Sequence, residues 1–275
     1  MNAQRLRRRE ALVMAGALVL PAARAQAPDP KSSARWQKVR QSLFGTRPIH
    51  DTGDRVIALE APQRAEDAAI VPIAIRAMFE QTRERHIRQV TLVIDNNPSP
   101  LAAVFRYTLD SGRADIETRV RIDEYTFVRA IAETGDGALH MGLGYVKAAG
   151  GCSAPPGKDA AAARAGMGRM RLRVQPGASP QAPALAQLMI SHPNDSGLVM
   201  DQVTRTYTPP HFVRTVEVSY GKRPVLSADL DFAISENPHL RFHFRPNGEE
   251  SELRAKVVDT HDLQFEHAIG WRPSQ

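Results

Sequence analysis

The chain has 275 residues, with 36 lysines and arginines against 30 aspartates and glutamates, a formal net charge of +6 and a single cysteine. One cysteine excludes an internal disulfide and any zinc or iron–sulfur site built from several cysteines. The length suits two domains of ordinary size, each able to bury its own core. The positive charge is no argument for nucleic-acid binding, because most of it lies in the first 26 residues.

The N-terminus has the layout of a secretory signal peptide over residues 1–27. Four arginines within residues 5–9 precede the apolar run 11–20 and the small-residue triplet 23–25. The run is too short to span a bilayer, and no later stretch is apolar enough for membrane insertion. Arg8-Arg9 leaves the Sec and twin-arginine export routes both open. Cleavage would leave 31 basic against 29 acidic residues, and we expect a periplasmic protein.

After the signal peptide, residues 33–44 predict one short helix. Trp36, Val39 and Leu43 share a face at helical spacing, Ser32 or Ser33 could cap the N-terminus, and Gly45 ends the helix.

From residue 55 the periodicity changes to two, which indicates strands. Turn sequences such as Asn96-Asn97-Pro98-Ser99-Pro100 separate several of them. Seven short strands with regular turns predict an immunoglobulin-like β-sandwich over residues 32–148. The candidate strands are 55–60, 70–76, 88–95, 101–108, 116–123, 125–132 and 138–147.

Residues 149–167 are rich in glycine, alanine and proline and predict a flexible arm and linker, followed by a second, smaller β-sandwich over residues 168–272. The predicted fold class is therefore all-β, with two immunoglobulin-like β-sandwich domains in tandem after one short helix. The second set of candidate strands is 169–174, 184–191, 198–203, 212–220, 224–232, 240–245, 252–259 and 262–269.

Cys152 follows a predicted strand directly and is preceded by Gly150 and Gly151. Glycines before the thiol and a small, proline-stiffened stretch after it are poor material for a packed core, so the pattern predicts an accessible thiol on a mobile arm. An exposed thiol in an exported protein is open to oxidation, and we interpret Cys152 as a site of covalent attachment. Lys147 and Lys158 could favour its thiolate modestly.

The first half contains the segments 95–105, 118–121 and 147–152, and the second half the segments 190–198, 209–213 and 234–242. In these segments the first half resembles SoxY, the periplasmic carrier of bacterial thiosulfate oxidation, and the second half resembles SoxZ, its partner. Residues 194–205 are similar to the fused SoxYZ-like carriers associated with quinoprotein (PQQ-dependent) dehydrogenases. The family's arm reads Gly-Gly-Cys-Gly-Gly at the C-terminus of SoxY, whereas here Ser153 and Ala154 replace the trailing glycines and the arm is internal.

The resemblance implies a carrier and not an enzyme, with no catalytic residue, metal ligand or cofactor of its own. It implies that Cys152 holds an S-thiosulfonate or persulfide, that Gly150 and Gly151 give the arm its flexibility, and that the two halves pair through an apolar face with the arm outside it. The implied partners are periplasmic sulfur-oxidising enzymes or cytochromes, or a quinoprotein dehydrogenase system. The alternative is a non-covalent accessory protein of such a dehydrogenase system.

Histidines offer weaker candidates. His239 and His243 lie four apart on one strand face, but no third ligand completes a metal site, so we interpret them as structural or surface residues. His192 and His211 flank proline turns and are interpreted as turn or domain-contact residues. A Cys–His hydrolase would need a histidine beside Cys152, and the sequence has no local signature for one.

Overall fold

The computed structural model describes residues 29–51, 55–155, 164–200, 204–247 and 250–273. The predicted signal peptide, Lys158 and the middle of the predicted linker lie outside these residues. We call residues 29–155 the first half and residues 164–273 the second half. None of the helical segments in the described part of the chain combines the length and the apolar composition that a bilayer crossing requires.

The single helix described in full, α1, spans Ala34–Phe44. The Ser33 hydroxyl caps it by accepting a hydrogen bond from the Trp36 backbone N–H, and Gly45 ends it with φ of 58°. Trp36 and Phe44 are buried, whereas Leu43, predicted to share the buried face, is exposed. The helix therefore packs through its first and last turns.

The rest of the described chain is built from strands, and the predicted all-β fold with two immunoglobulin-like halves is confirmed. The first half contributes β1 (Ile49–Asp51), β2 (Ile57–Glu60), β3 (Val71–Ala77), β4 (Ile87–Ile94), β5 (Leu101–Tyr107), β6 (Ile116–Val120), β7 (Thr126–Thr134) and β8 (Leu139–Val146). The second half contributes β9 (Met170–Gln175), β10 (Ala184–Ile190), β11 (Val213–Tyr220), β12 (Arg223–Leu230), β13 (His239–Phe244), β14 (Ser251–Asp259) and β15 (Gln264–Trp271).

These strands form two sheets that both run through the two halves. The nine-stranded sheet has the order β1-β8-β7-β4-β5-β12-β11-β14-β15, and the six-stranded sheet has the order β2-β3-β6-β13-β10-β9. Antiparallel pairing of β5 with β12, and of β6 with β13, joins the halves edge to edge. The two layers enclose one hydrophobic cluster that includes residues of both halves.

This arrangement changes one expectation from the sequence. Two domains, each burying a core of its own, would pack through an apolar face. Instead the halves continue each other's sheets, and the edge strands that each half would otherwise expose are paired. We call the junction made by the β5–β12 and β6–β13 pairings the seam. Ion pairs also cross it, such as Arg106 with Asp229 at 2.7 Å and Arg241 with Glu117 at 2.6 Å.

Two strand predictions also differ from the structure. The short parallel strand β1, beside β8, was not predicted because its three residues are too few to show a periodicity. The predicted strand 198–203 is represented, within the described residues, only by an isolated bridge between Met200 and Tyr207.

Candidate functional site at Cys152

Cys152 lies at the seam between the halves, after the end of β8. The chain that follows β8 is held by a hydrogen bond from its first residue, since the Lys147 N–H donates to the Gln63 carbonyl at 2.9 Å. Ala148 is buried, and the Cys152 side chain is only 1% exposed. The expectation of a thiol held out in solvent is therefore wrong for this conformation, because contacts from distant segments cover a stretch whose own composition is unsuited to a core.

Gly150 and Gly151 hold the segment against the first half. Their backbone N–H groups donate to the carbonyls of Asp123 and Ile122, at 2.8 and 2.9 Å. Gly150 has a φ of 80°, and a Cβ on Gly151 would overlap the Ala68 carbonyl and lie 2.7 Å from that of Ile122. In this state the glycines permit close docking, while the arm flexibility attributed to them stays a prediction.

The second half contacts the cysteine through Ser196. The Ser196 hydroxyl donates a 2.6 Å hydrogen bond to the Cys152 backbone carbonyl, and Ser196 is itself buried. Residues 44 positions apart in sequence are thereby joined across the seam. This contact was not predicted from the sequence, although Ser196 lies in the SoxZ-like segment 190–198.

The surroundings of the thiol favour its protonated form. Burial, followed by the nearby negative charge of Asp123, raises the pKa of Cys152 to about 12, with a further contribution from Asp231 and an opposing one from Arg121. Since the thiolate is the nucleophile, the docked thiol is unreactive at neutral pH. The expected assistance from Lys147 is not among these influences, Lys158 lies outside the described residues, and within those residues the cation that acts on the sulfur is Arg121.

Arg121 is a second site residue that the sequence analysis did not identify. It is 8% exposed, and its Nη1 donates to the carbonyls of Phe232 and Ile234 at 2.8 and 2.9 Å. Burial lowers the pKa of Arg121, and the negative charges of Cys152, Glu236 and Asp195 act in the opposite direction and raise it. Alternation along β6 would turn Arg121 to solvent beside Arg119, but the strand ends at Val120 and the guanidinium reaches across the seam.

The second half also contains a cluster of His192, His211 and Asp259, the one group of three potential metal ligands among the described residues. The Asp259 Oδ2 is 2.7 Å from the His211 Nε2 and 3.5 Å from the His192 Nε2. The His192 Nδ1 accepts a hydrogen bond from the Asn194 N–H, so in a neutral ring the Nε2 carries the proton. That proton occupies the position a metal would need, and the cluster therefore fits a carboxylate shared by two imidazoles.

The other predicted histidine pair is separated by its contacts. The His239 Nε2 lies 2.7 Å from the Gln187 amide nitrogen, and the His243 Nδ1 lies 3.9 Å from an Asp115 carboxylate oxygen. His192 and His211 were interpreted as turn or domain-contact residues, but neither lies in a turn: His192 is in an irregular segment and His211 forms an isolated β-bridge with Asp195. The structure adds Asp259, from the end of β14, as their common partner.

Solved structures give only weak likenesses. Two variants of superoxide reductase (neelaredoxin) from Ignicoccus hospitalis align with 12% and 11% identity over 34% and 36% of this chain and 79% and 93% of theirs, with TM-scores of 0.31 and 0.33. A glycosyl hydrolase family 2 member from Bacteroides cellulosilyticus aligns with 10% identity over 84% of this chain and 30% of its own, with a TM-score of 0.23. No functional argument follows from overlaps this weak.

Family models are more informative. No curated protein matches the sequence. The model of the sulfur oxidation protein SoxY matches residues 40–152, and that of the sulphur oxidation protein SoxZ matches residues 172–269. The two matches follow each other without overlap and cover most of the chain. The chain therefore carries a SoxY domain followed by a SoxZ domain and belongs to the SoxYZ-like carriers of sulfur oxidation.

Proposed function

We propose that this protein is a periplasmic carrier that holds a sulfur-containing intermediate covalently on Cys152 and presents it to partner oxidising enzymes. The observation that carries the proposal is the position of the thiol. The SoxY match ends at residue 152 itself, which is the sole cysteine of the chain. A protein of the SoxYZ type needs one sulfur nucleophile, and this chain offers no other.

Loading is a simple redox step. The Cys152 thiol and a thiosulfate dianion form one S–S bond, giving a protein S-thiosulfonate, one proton and two electrons. The electrons pass to an oxidant of the cytochrome class in a partner protein, and the proton passes to water. Cys152 supplies the nucleophile, and the remaining chemistry belongs to the partners.

The docked conformation requires that the segment around Cys152 opens before loading. Opening breaks three hydrogen bonds, from Gly150, Gly151 and Ser196, each worth about 1 kcal/mol net. Local openings of this size are well below the cost of unfolding a domain. In solvent the pKa of the thiol would return to about 8.5, so that a useful fraction of it is thiolate at neutral pH.

Intact-mass measurement of the protein purified from its native host tests the proposal. We expect an adduct on Cys152 that a reductant removes, none on a Cys152→Ser variant, and an unchanged adduct on the matched control Ser153→Ala. Growth on thiosulfate should fail with Cys152→Ser and persist with Ser153→Ala. A bare thiol under conditions of active sulfur oxidation would refute the carrier role.

The burial of the thiol favours one other candidate, a non-covalent accessory protein of a quinoprotein dehydrogenase system. Such a protein would use its sheets as a binding surface and would have no need of thiol chemistry. Its signature is a Cys152→Ser variant that restores full growth and copurifies with the dehydrogenase or its cytochrome as wild type does. The loss of either property in that variant argues for the carrier.

A further inference from the structure

In residues 150–152, which we call the carrier segment, three backbone groups form hydrogen bonds with other parts of the chain. Two of these bonds go to the first half and one goes to the second half. The N–H groups of Gly150 and Gly151 bind carbonyls of the first half, whereas the Cys152 carbonyl binds the Ser196 hydroxyl of the second half. Ser196 thus makes a direct hydrogen bond from the SoxZ domain to the backbone of Cys152, whereas Asp231 of the same domain acts on the sulfur through its charge.

We propose that Ser196 is a latch: its hydrogen bond to the Cys152 carbonyl keeps the segment docked while the sulfur is bare, and an anionic group on the sulfur releases it. This inference rests on the proposed carrier function for its biological meaning. It goes beyond that function by assigning to the SoxZ domain the control of access to the thiol, with Ser196 as a positioning residue.

The latch is preorganised by the turn that carries it. The Leu198 N–H donates to the Ser196 hydroxyl oxygen at 3.2 Å, which leaves the hydroxyl proton free for the Cys152 carbonyl. Asn194, with φ of 47°, fixes the turn by accepting from the Val213 N–H at 3.0 Å and donating to the Ile234 carbonyl at 3.1 Å. The hydroxyl is therefore held in place before the segment docks.

The docked position also discriminates between bare and loaded sulfur. The Cys152 side chain is only 1% exposed, so added sulfur and oxygen atoms would have to displace the residues that cover it. Asp123 and Asp231 oppose negative charge on the sulfur, and among the described residues the positive charge of Arg121 acts against them. The backbone beside Cys152 cannot shift towards the first half to make space, because Gly151 already lies against the Ala68 and Ile122 carbonyls. An S-thiosulfonate, which is larger and anionic, is incompatible with this position.

Alkylation of the bare thiol in the purified full chain tests the latch. Iodoacetamide is applied under native conditions at fixed pH to wild type, Ser196→Ala, Ser196→Thr and Ser235→Ala. Ser235 is the matched control, because its hydroxyl also donates across the seam, but to the Ala69 carbonyl at 2.7 Å and not to the Cys152 carbonyl. Loss of one neutral hydrogen bond should speed alkylation of Ser196→Ala about fivefold, while Ser196→Thr and Ser235→Ala stay near the wild-type rate.

Small additions of urea separate the latch from general loosening. Opening of a few residues exposes little surface, so the rate in Ser196→Ala should respond weakly to urea, whereas global unfolding responds steeply. The latch is refuted if Ser196→Ala alkylates at the wild-type rate. It is equally refuted if Ser235→Ala accelerates as much, or if the accelerated rate rises with urea as steeply as unfolding does.

Two adducts test the release. Tetrathionate converts the thiolate to the S-thiosulfonate with loss of thiosulfate, and methyl methanethiosulfonate gives a small neutral methyl disulfide with loss of methanesulfinate. Hydrogen exchange at the Gly150 and Gly151 amides should accelerate at least tenfold with the anionic adduct, and less with the neutral one. Equal protection in bare and S-thiosulfonate protein overturns the release. Because both adducts are made on purified protein, this outcome is independent of what the cell loads.

Discussion

Asp95 and Arg129 form a two-point ion pair in which both side chains are only 1% exposed, with the Arg129 Nε and Nη2 each 2.8 Å from a carboxylate oxygen. The Arg129 Nη2 also donates to the Pro30 carbonyl at 2.7 Å, and the guanidinium lies 4.3 Å from the Trp36 ring centre. This buried pair therefore ties the helix and the segment before it to the nine-stranded sheet.

Removing one member of the pair should be costly. Asp95→Asn leaves the Arg129 charge buried without a counterion, and we expect it to lower the free energy of unfolding by about 3–5 kcal/mol. Urea unfolding followed by circular dichroism measures the loss. Asp229→Asn is the control, because the Arg106–Asp229 pair is about half exposed and should cost below about 1 kcal/mol. Equal losses in the two variants would contradict this account of Asp95.

The shared sheets predict that the two halves unfold together. The chain has two tryptophans, one in each half: Trp36 in α1 and Trp271 in β15. Trp36→Phe and Trp271→Phe each leave one fluorescent reporter. Within each variant, the urea midpoint followed by the remaining tryptophan should coincide with the midpoint followed by circular dichroism of the whole chain, because the β5–β12 and β6–β13 pairings couple the halves. Two separate midpoints would show that the seam is too weak to make the halves one cooperative unit.

Gly150 and Gly151 should respond differently to alanine. A Cβ at Gly151 would overlap the Ala68 carbonyl, so Gly151→Ala should displace the segment and speed alkylation of Cys152 by more than tenfold. At Gly150 no atom lies within 4 Å of the added Cβ, and the penalty is that of a left-handed φ, about 1 kcal/mol. If instead Gly150→Ala exposed the thiol as much, the close contact at Gly151 would not be what fixes the segment.

The sequence predicted the local structure well because local patterns produce it. Ser33 and Gly45 bound the helix as their capping preferences require, and period-two alternation located nearly every strand. The exposure of Cys152 was predicted wrongly from the same kind of local information. Its burial depends on Ala68, Ile122 and Ser196, which are distant in sequence, and no local pattern records which distant segments will cover a glycine-rich stretch.

The seam could not be predicted for a similar reason. Each half carries the pattern of a complete sandwich, and nothing in that pattern shows whether its edge strands stay free or pair with another sheet. Arg121 illustrates the consequence: as a residue of the first half it looks like a solvated arginine, and it becomes a buried site residue only when the Phe232 and Ile234 carbonyls are present.

Buried histidines predict that the protein loses stability in mild acid. Burial lowers the pKa of His192, and the neighbouring His211 lowers it further, against the opposing effects of Asp259 and Asp195. At a pH of about 6.5 the His192 side chain of the unfolded chain begins to bind a proton, whereas that of the folded protein does not. The contribution of His192 is complete above that pH and is lost as the pH falls below it. Burial likewise lowers the pKa of His140, His239 and His243, so their contributions have the same sign.

The stability contributed by His192 should therefore be lost as the pH falls from about 7.5 to about 5. Asp231, whose pKa burial raises to about 6, acts with the opposite sign in the same window, so the test compares variants and not the wild type alone. His192→Asn removes this titration and keeps an acceptor for the Asn194 N–H, so its stability should depend less steeply on pH than that of wild type. Urea unfolding at the two pH values measures the two slopes, and identical slopes in wild type and His192→Asn would show that burial of this imidazole does not make the fold sensitive to acid.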